Sequence, residues 1–176
     1  GTTYLAIRIG VRTVPPALFG GLRFLTAGLI FLAYLRWRGH AFPERREFLD
    51  MVIVGIALLV TSNGLVIWAE QWVPSSIAAL LVATLPFWMA GFEAALPSGE
   101  GLTLRKVTGI VIGFTGLVIL FAPEIKTSFD MAYLKGVVAL LLAPLCWSAG
   151  SVYSKSRPAK SHPLMAATMQ MIVAGI

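Results

Sequence analysis

The stretch Val60–Ala95, VTSNGLVIWAEQWVPSSIAALLVATLPFWMAGFEAA, decides how the rest of the chain is read. It contains two long apolar helices joined by a short polar turn, Gln71 to Ser76. The apolar residues run round every face of both helices, so neither has a polar side to turn to water. Helices of this kind need hydrocarbon around them, and about 20 such residues are enough to cross a bilayer. Asn63, Glu70, Thr84, Pro86 and Glu93 interrupt the apolar material. Polar groups are costly at membrane depth and mark functional pathways there.

The same pattern continues on both sides. Gly1–Ile9 reads as the tail of a first span, followed by Arg8, Arg12 and the pair Pro15–Pro16. Proline suits the first turn of a helix, where its missing N–H costs nothing. The second span is Ala17–Leu35, the third Phe48 to about Glu70, the fourth Ser75–Leu96 and the fifth Val107–Ala122, reaching back toward Leu102. The sixth is Leu134–Tyr153, and a seventh starts at Pro163. The fold expected is an all-α, polytopic membrane helix bundle. Because it begins and ends inside apolar phrases, the chain reads as part of something longer.

Composition agrees. Of 176 residues, 57% are hydrophobic and only 12% charged, with mean hydropathy +0.82; soluble domains carry about 25% charge. The net charge of +6 is no nucleic-acid footprint, because the basic residues sit in loops between apolar blocks. Loops after the second, fourth and sixth spans hold nine Lys and Arg, and those after the first, third and fifth hold four when Arg8 and Lys135, at the adjoining span ends, are counted with them. The positive-inside rule puts the first set in the cytoplasm and the Gln71–Ser76 turn outside.

A shift of 147 residues lays Arg8 on Lys155, Pro16 on Pro163, Ala27 on Ala174 and Gly28 on Gly175. Five spans separate the copies, so the second would lie inverted in the membrane. Inverted repeats are common in secondary transporters, whose substrate sites lie near the midplane between the halves. On this reading residues 1–125 form a first five-span repeat and residues 126–176 begin a second, inverted one.

Several residues are candidates for a transport path. Asn63 and Glu70 are seven apart and share a helix face. Glu70 lies near the outer end of its span and Asn63 about 10 Å deeper; Arg23 enters the second span at a depth similar to that of Asn63 and is expected to meet Glu70 across the interior, while the other reading leaves Glu70 in the headgroup layer and lets Arg23 snorkel. Pro86 breaks a helix at membrane depth, Thr84 is placed to satisfy the backbone groups that it frees, and Pro144 repeats the device in the sixth span. Trp88, beside Phe87, offers a flat apolar wall or faces lipid. Tyr4, Trp147, Ser151 and Tyr153 lie at equivalent ends of the two copies, bordering a cavity or anchoring at the interface. Glu93 is expected at the cytoplasmic interface. Trp68 and Trp72 fit an aromatic belt. Gly109, Gly113 and Gly116 form a small-residue face suited to a partner helix.

Enzyme chemistry finds no foothold. There is no phosphate-binding G-x-x-x-x-G-K-[ST] loop. The two histidines, His40 and His162, fall in loops, and Cys146 is the single cysteine. Neither a metal site nor a bound cofactor is expected.

The phrases RFLTAGLIFLAYLRWRG (Arg23–Gly39), SNGLVIWAEQWVPSSIAALLVATLPFWMA (Ser62–Ala90), GEGLTLRKVTGIVIGFTGLVIL (Gly99–Leu120) and WSAGSVYSK (Trp147–Lys155) resemble the EamA-type members of the drug/metabolite transporter superfamily, most closely their YedA-like branch. The resemblance covers nearly the whole chain. It implies a bacterial inner-membrane exporter of small metabolites or drugs, with ten spans in two inverted five-span repeats. The expected partners are the bilayer, a small metabolite and a coupling proton. The competing reading is a non-transporting membrane scaffold that binds partner helices through its glycine faces.

Overall fold

A computed structural model describes residues 15–96, 101, 103–121 and 131–176. The first span and Tyr4 lie outside them. The described residues form eight α-helices: α1 (Pro16–Trp37), α2 (Arg45–Gly55), α3 (Asn63–Ala69), α4 (Ser75–Val82), α5 (Leu85–Ala95), α6 (Leu104–Phe121), α7 (Met131–Ser156) and α8 (Pro163–Gly175). A π-helical segment, Ile56–Ser62, joins α2 to α3 without a turn. The third expected span is thus α2, the π segment and α3 in line; the fourth is α4 followed by α5.

Among the described residues four helical stretches are long and apolar enough to cross a membrane: Ala17–Trp37, Arg45–Ala69, Ser75–Ala95 and Met131–Ser156. The protein is an all-α, polytopic membrane bundle. Its 22-residue α1 is about 33 Å long at 1.5 Å per residue, the depth of a hydrocarbon core. Pro16 opens it with the φ that a first turn needs, and Gly39 closes it. Gly39 takes φ +81°, a left-handed conformation that side chains resist. Its N–H then reaches Arg36 O at 3.1 Å, and the next N–H, of His40, reaches Leu35 O at 3.0 Å. These two bonds satisfy carbonyls that the helix end leaves open.

The bundle is inside out by the standards of a soluble protein. Leu18, Leu22, Leu29 and Ile30 on α1 and Val111, Ile112 and Ile119 on α6 are exposed. Such a surface is stable against acyl chains, which are as apolar as the side chains themselves. The interior is made from smaller residues. Val66, Ala69, Val73, Ile77, Ala78, Ala139, Leu140 and Ala143 form one cluster, between α3, α4 and α7. Leu35, Met51, Met165 and Met169 form another at the opposite end, between α1, α2 and α8.

Glycine sets the closest approaches. A methyl at Gly136 would stand 2.6 Å from Val73 Cγ2, and one at Gly150 would collide with Leu58 and Ala57 of the π segment. Where α1 crosses α8, a methyl at Gly28 would lie 2.8 Å from Ile172 Cγ1, and one at Gly175 would lie 2.6 Å from both N and Cβ of Leu25. The expectation of tight packing at Gly109, Gly113 and Gly116 needs correction within the described chain. A methyl at any of the three meets nothing within 4 Å. The reason is that α6 stands off from the bundle: Gly109 and Gly113 line an open cleft against Ala79, Val82 and Pro86 of α4 and α5 instead of touching them.

Candidate functional site in the bundle interior

Two spans lose regular helical geometry midway along their length and both pack on α7, which itself carries a proline inside a continuous helix. The first is the π segment. Leu58 O accepts the backbone N–H of Asn63 five residues on, and also its side-chain Nδ2 at 3.2 Å. Asn63 is therefore committed to a loosened carbonyl, a polar group that lipid could not satisfy. π segments recur at functional sites. The second is the break between α4 and α5. Pro86 has no N–H to give Val82 O and crowds it, so the helix stops at Val82 and restarts at Leu85. This is a full interruption rather than the kink that a mid-helix proline suggests. Thr84 N–H bonds Leu81 O at 3.2 Å, and Thr84 Oγ1 donates to the same oxygen at 2.7 Å. The proline inside α7 is Pro144, and it is buried.

α7 ties these features together. Gly150 takes the side chains of the π segment against its bare Cα, and Ser148, fully buried, points its hydroxyl at Leu85 O from 3.5 Å. Trp147 and Ser151 are half-buried on the same helix, next to these contacts in sequence. Asn63, Thr84, Pro144 and Ser148 therefore belong to one neighbourhood at mid-bundle.

The other candidates are placed elsewhere. Glu70 caps α3 and is 2% exposed, set beside Ala69 and Val73 where these pack on Gly136. A headgroup position for its side chain does not fit this burial. Trp68 and Trp72 are exposed at the same end, in an edge-to-face pair with centroids 4.6 Å apart, as a belt requires. Arg23 is half-buried, with its guanidinium carbon 4.6 Å over the ring of Phe24. The structure does not join Arg23 to Glu70 in an ion pair. Pro86, Phe87 and Trp88 are exposed at the start of α5, and Phe87 packs edge-to-face on Phe114 of α6. Trp88 thus stands on the outside of the bundle. Among the described residues no group of three His, Cys, Asp or Glu is arranged to hold a metal ion.

A second polar cluster lies at the basic end of the bundle; Glu93 and Tyr153 are expected near a cavity border or interface, but their partners Asp50, Lys155 and Arg157 are not expected from the sequence. Tyr153 Oη donates to Asp50 Oδ1 at 2.6 Å, and Arg157 Nη1 lies 3.8 Å from that oxygen. Lys155 Nζ pairs with Glu93 Oε1 at 2.8 Å, and the Ser161 N–H donates to Glu47 Oε1 at 2.7 Å. Beside them a cleft of about 340 Å³ opens between α2, α7 and α8. The available sequence signal was Asp50, a charge carried inside an apolar span.

Spanning helices whose broken segments turn inward, rather than toward lipid, define a polytopic membrane protein built around an interior polar region. Residues 1–122 match the EamA-like transporter family, and the chain belongs to it. With four spanning helices and that membership, it is a multi-pass inner-membrane protein. It is 38% identical, over its full length and 56% of the relative's, to the "Uncharacterized inner membrane transporter YedA" of Escherichia coli strain K12. It is 33% identical to "Protein PagO" of Salmonella typhimurium over 82% of the chain and 47% of the relative, and 28% identical to "Uncharacterized transporter YoaV" of Bacillus subtilis over 88% and 53%. The chain spans about half the length of these curated relatives. A solved crystal structure superposes with TM-score 0.72 at 24% identity, over 98% of this chain and 62% of that one, which shows the shared fold.

Proposed function

We propose that this chain is part of a secondary transporter that exports small amphipathic metabolites or drugs across the inner membrane, in exchange for protons. The observation that carries the reading is the convergence of the π segment, the α4–α5 break and Pro144 on one level of α7. Interrupted helices leave backbone dipoles inside the membrane, and these are tolerated where they line a cavity. Asn63, Thr84, Trp147 and Ser151 would line the route, with Pro86 shaping it. Glu70 and Arg23 would stand nearer its outer mouth, and Tyr4 would join from the first span.

The inverted-repeat reading gains support from α1 and α8. Both begin on a proline, Pro16 and Pro163, 147 residues apart. Under the same shift Leu25 corresponds to Ile172 and Gly28 to Gly175. Gly28 meets Ile172, and Gly175 meets Leu25. Reciprocal contact of this kind is what a two-fold axis produces, and here it would lie in the membrane plane between two repeats, 1–125 and 126–176. The bias of basic residues places the end carrying Arg36, Arg105 and Lys155 in the cytoplasm.

The test is uptake into inverted vesicles holding the complete protein that carries this chain, with a panel of labelled amino acids and cationic dyes. Accumulation driven by an inward-acid gradient and lost in Asn63→Leu and Thr84→Val is the expected result. A complete absence of accumulation across the panel, with the protein folded, would favour the scaffold reading, for which the open glycine face of α6 is the supporting feature.

A further inference from the structure

The basic end of the bundle is fastened in a way that packing alone does not require. Asp50 and Glu47 belong to α2, Glu93 to α5, and all three carboxylates are met by the last turn of α7 or the loop after it. These contacts join residues 103, 62 and 114 positions apart. They differ in quality. Lys155–Glu93 is an outer pair with the lysine side chain 67% exposed, and such pairs contribute little. Asp50 is 26% exposed and takes a short bond from a phenol. A hydrogen bond to an ionised acceptor is shorter and stronger than a neutral one, so the Asp50–Tyr153 bond dominates the set.

The cleft next to this bond is blind. Its wall holds Asp50, Tyr153 and Arg157, and its floor holds Met51, Val54, Ala166 and Gln170. Beyond the floor α2 and α8 touch, since a methyl at Gly55 would stand 3.1 Å from Gln170 Cα. A polar-walled, apolar-floored recess that stops between a first-repeat helix and two second-repeat helices has the shape of a closed entrance.

We propose that this cleft is the cytoplasmic intake vestibule, and that the Asp50–Tyr153 bond, assisted by Arg157 and Lys155–Glu93, is the latch that holds it shut. The proposal rests on the transporter reading and on the cytoplasmic placement of the basic end. Opening moves the end of α7 away from α2 and α5 together, because Tyr153 and Lys155 in its last turn and Arg157 directly after it carry the cationic and phenolic partners. The latch residues are positioning residues; they touch one another, and they set which side is open.

The experiment uses the complete protein in vesicles, with Cys146 replaced by Ser and a single cysteine at Gln170. A membrane-impermeant maleimide is applied from the cytoplasmic face. Tyr153→Phe and Asp50→Asn should each label several-fold faster than the parent, and the double variant no faster than Asp50→Asn alone, since Asp50 carries both the phenol bond and the Arg157 contact. A cysteine pair at Glu93 and Lys155, oxidised, should slow labelling at Gln170 when carried on the same protein, and reductant should restore it. Unchanged labelling in a monodisperse Tyr153→Phe protein overturns the latch. Labelling solely from the opposite face overturns the vestibule. Because labelling needs no substrate, a parent protein that fails to transport leaves this result readable and counts against the transporter reading alone.

Discussion

Where α3 turns into α4, Gly136 of α7 lets Val73 and Ala69 pack flush against its backbone, and Glu70 is enclosed beside them. At the opposite end the final turn of the same helix meets α2 and α5 through Asp50, Glu93 and water-exposed cations instead. The first closure is made by shape. It opens only if methyl-sized gaps appear, which costs dispersion contacts and packing. The second is made by a few polar bonds that water can replace, so its opening costs less. One helix with two such ends pivots most readily at the packed end, while the polar end swings.

The largest effect is expected at the packed end. Gly136→Leu forces a side chain into Val73 and Ala69, and overpacking of this kind costs about 1–3 kcal/mol. The expected readout is a lowered detergent melting temperature, whereas Gly113→Leu on the open face of α6 should leave it within error. Equal melting of the two would show that α7 is not seated as described. Glu70→Gln tests the buried carboxylate at that end. Glu70 is 2% exposed, and weakening the interactions of a buried polar group costs about 1–3 kcal/mol; transport should fall with stability. Full transport in a stable Glu70→Gln protein would remove Glu70 from the route. The smallest effect belongs to the polar end. Lys155→Gln should cost about 0.2–0.5 kcal/mol after screening by solvent, and the difference from the parent should vanish at molar salt. A larger, salt-independent loss would mean that Lys155 is held more rigidly than its exposure indicates.

Much of the architecture was legible in the residues. The apolar blocks marked the spans to within a few positions, Pro16 and Pro163 marked helix starts, and Pro86 marked the interruption of the fourth span. The short turn at Gln71–Ser76 and the tryptophans beside it also read correctly. The π segment did not. IALLVTS carries no proline or glycine, and one extra residue per turn leaves no mark on a sequence that is apolar on every face. The meeting of Tyr153 with Asp50 and Arg157 was not legible because it depends on the end of α7 reaching α2 across 103 residues.

What the sequence determined by itself is the solvent of this protein and its all-helical, polytopic build, because hydrocarbon rejects unpaired backbone and charge wherever the chain goes. What only the tertiary structure decided is which small and polar residues matter. Gly28, Gly136, Gly150 and Gly175 look in sequence like Gly109, Gly113 and Gly116, yet only the first four have a neighbouring helix pressed against them. Close packing and long-range hydrogen bonds belong to pairs of helices, and a pair is not a property of either helix alone.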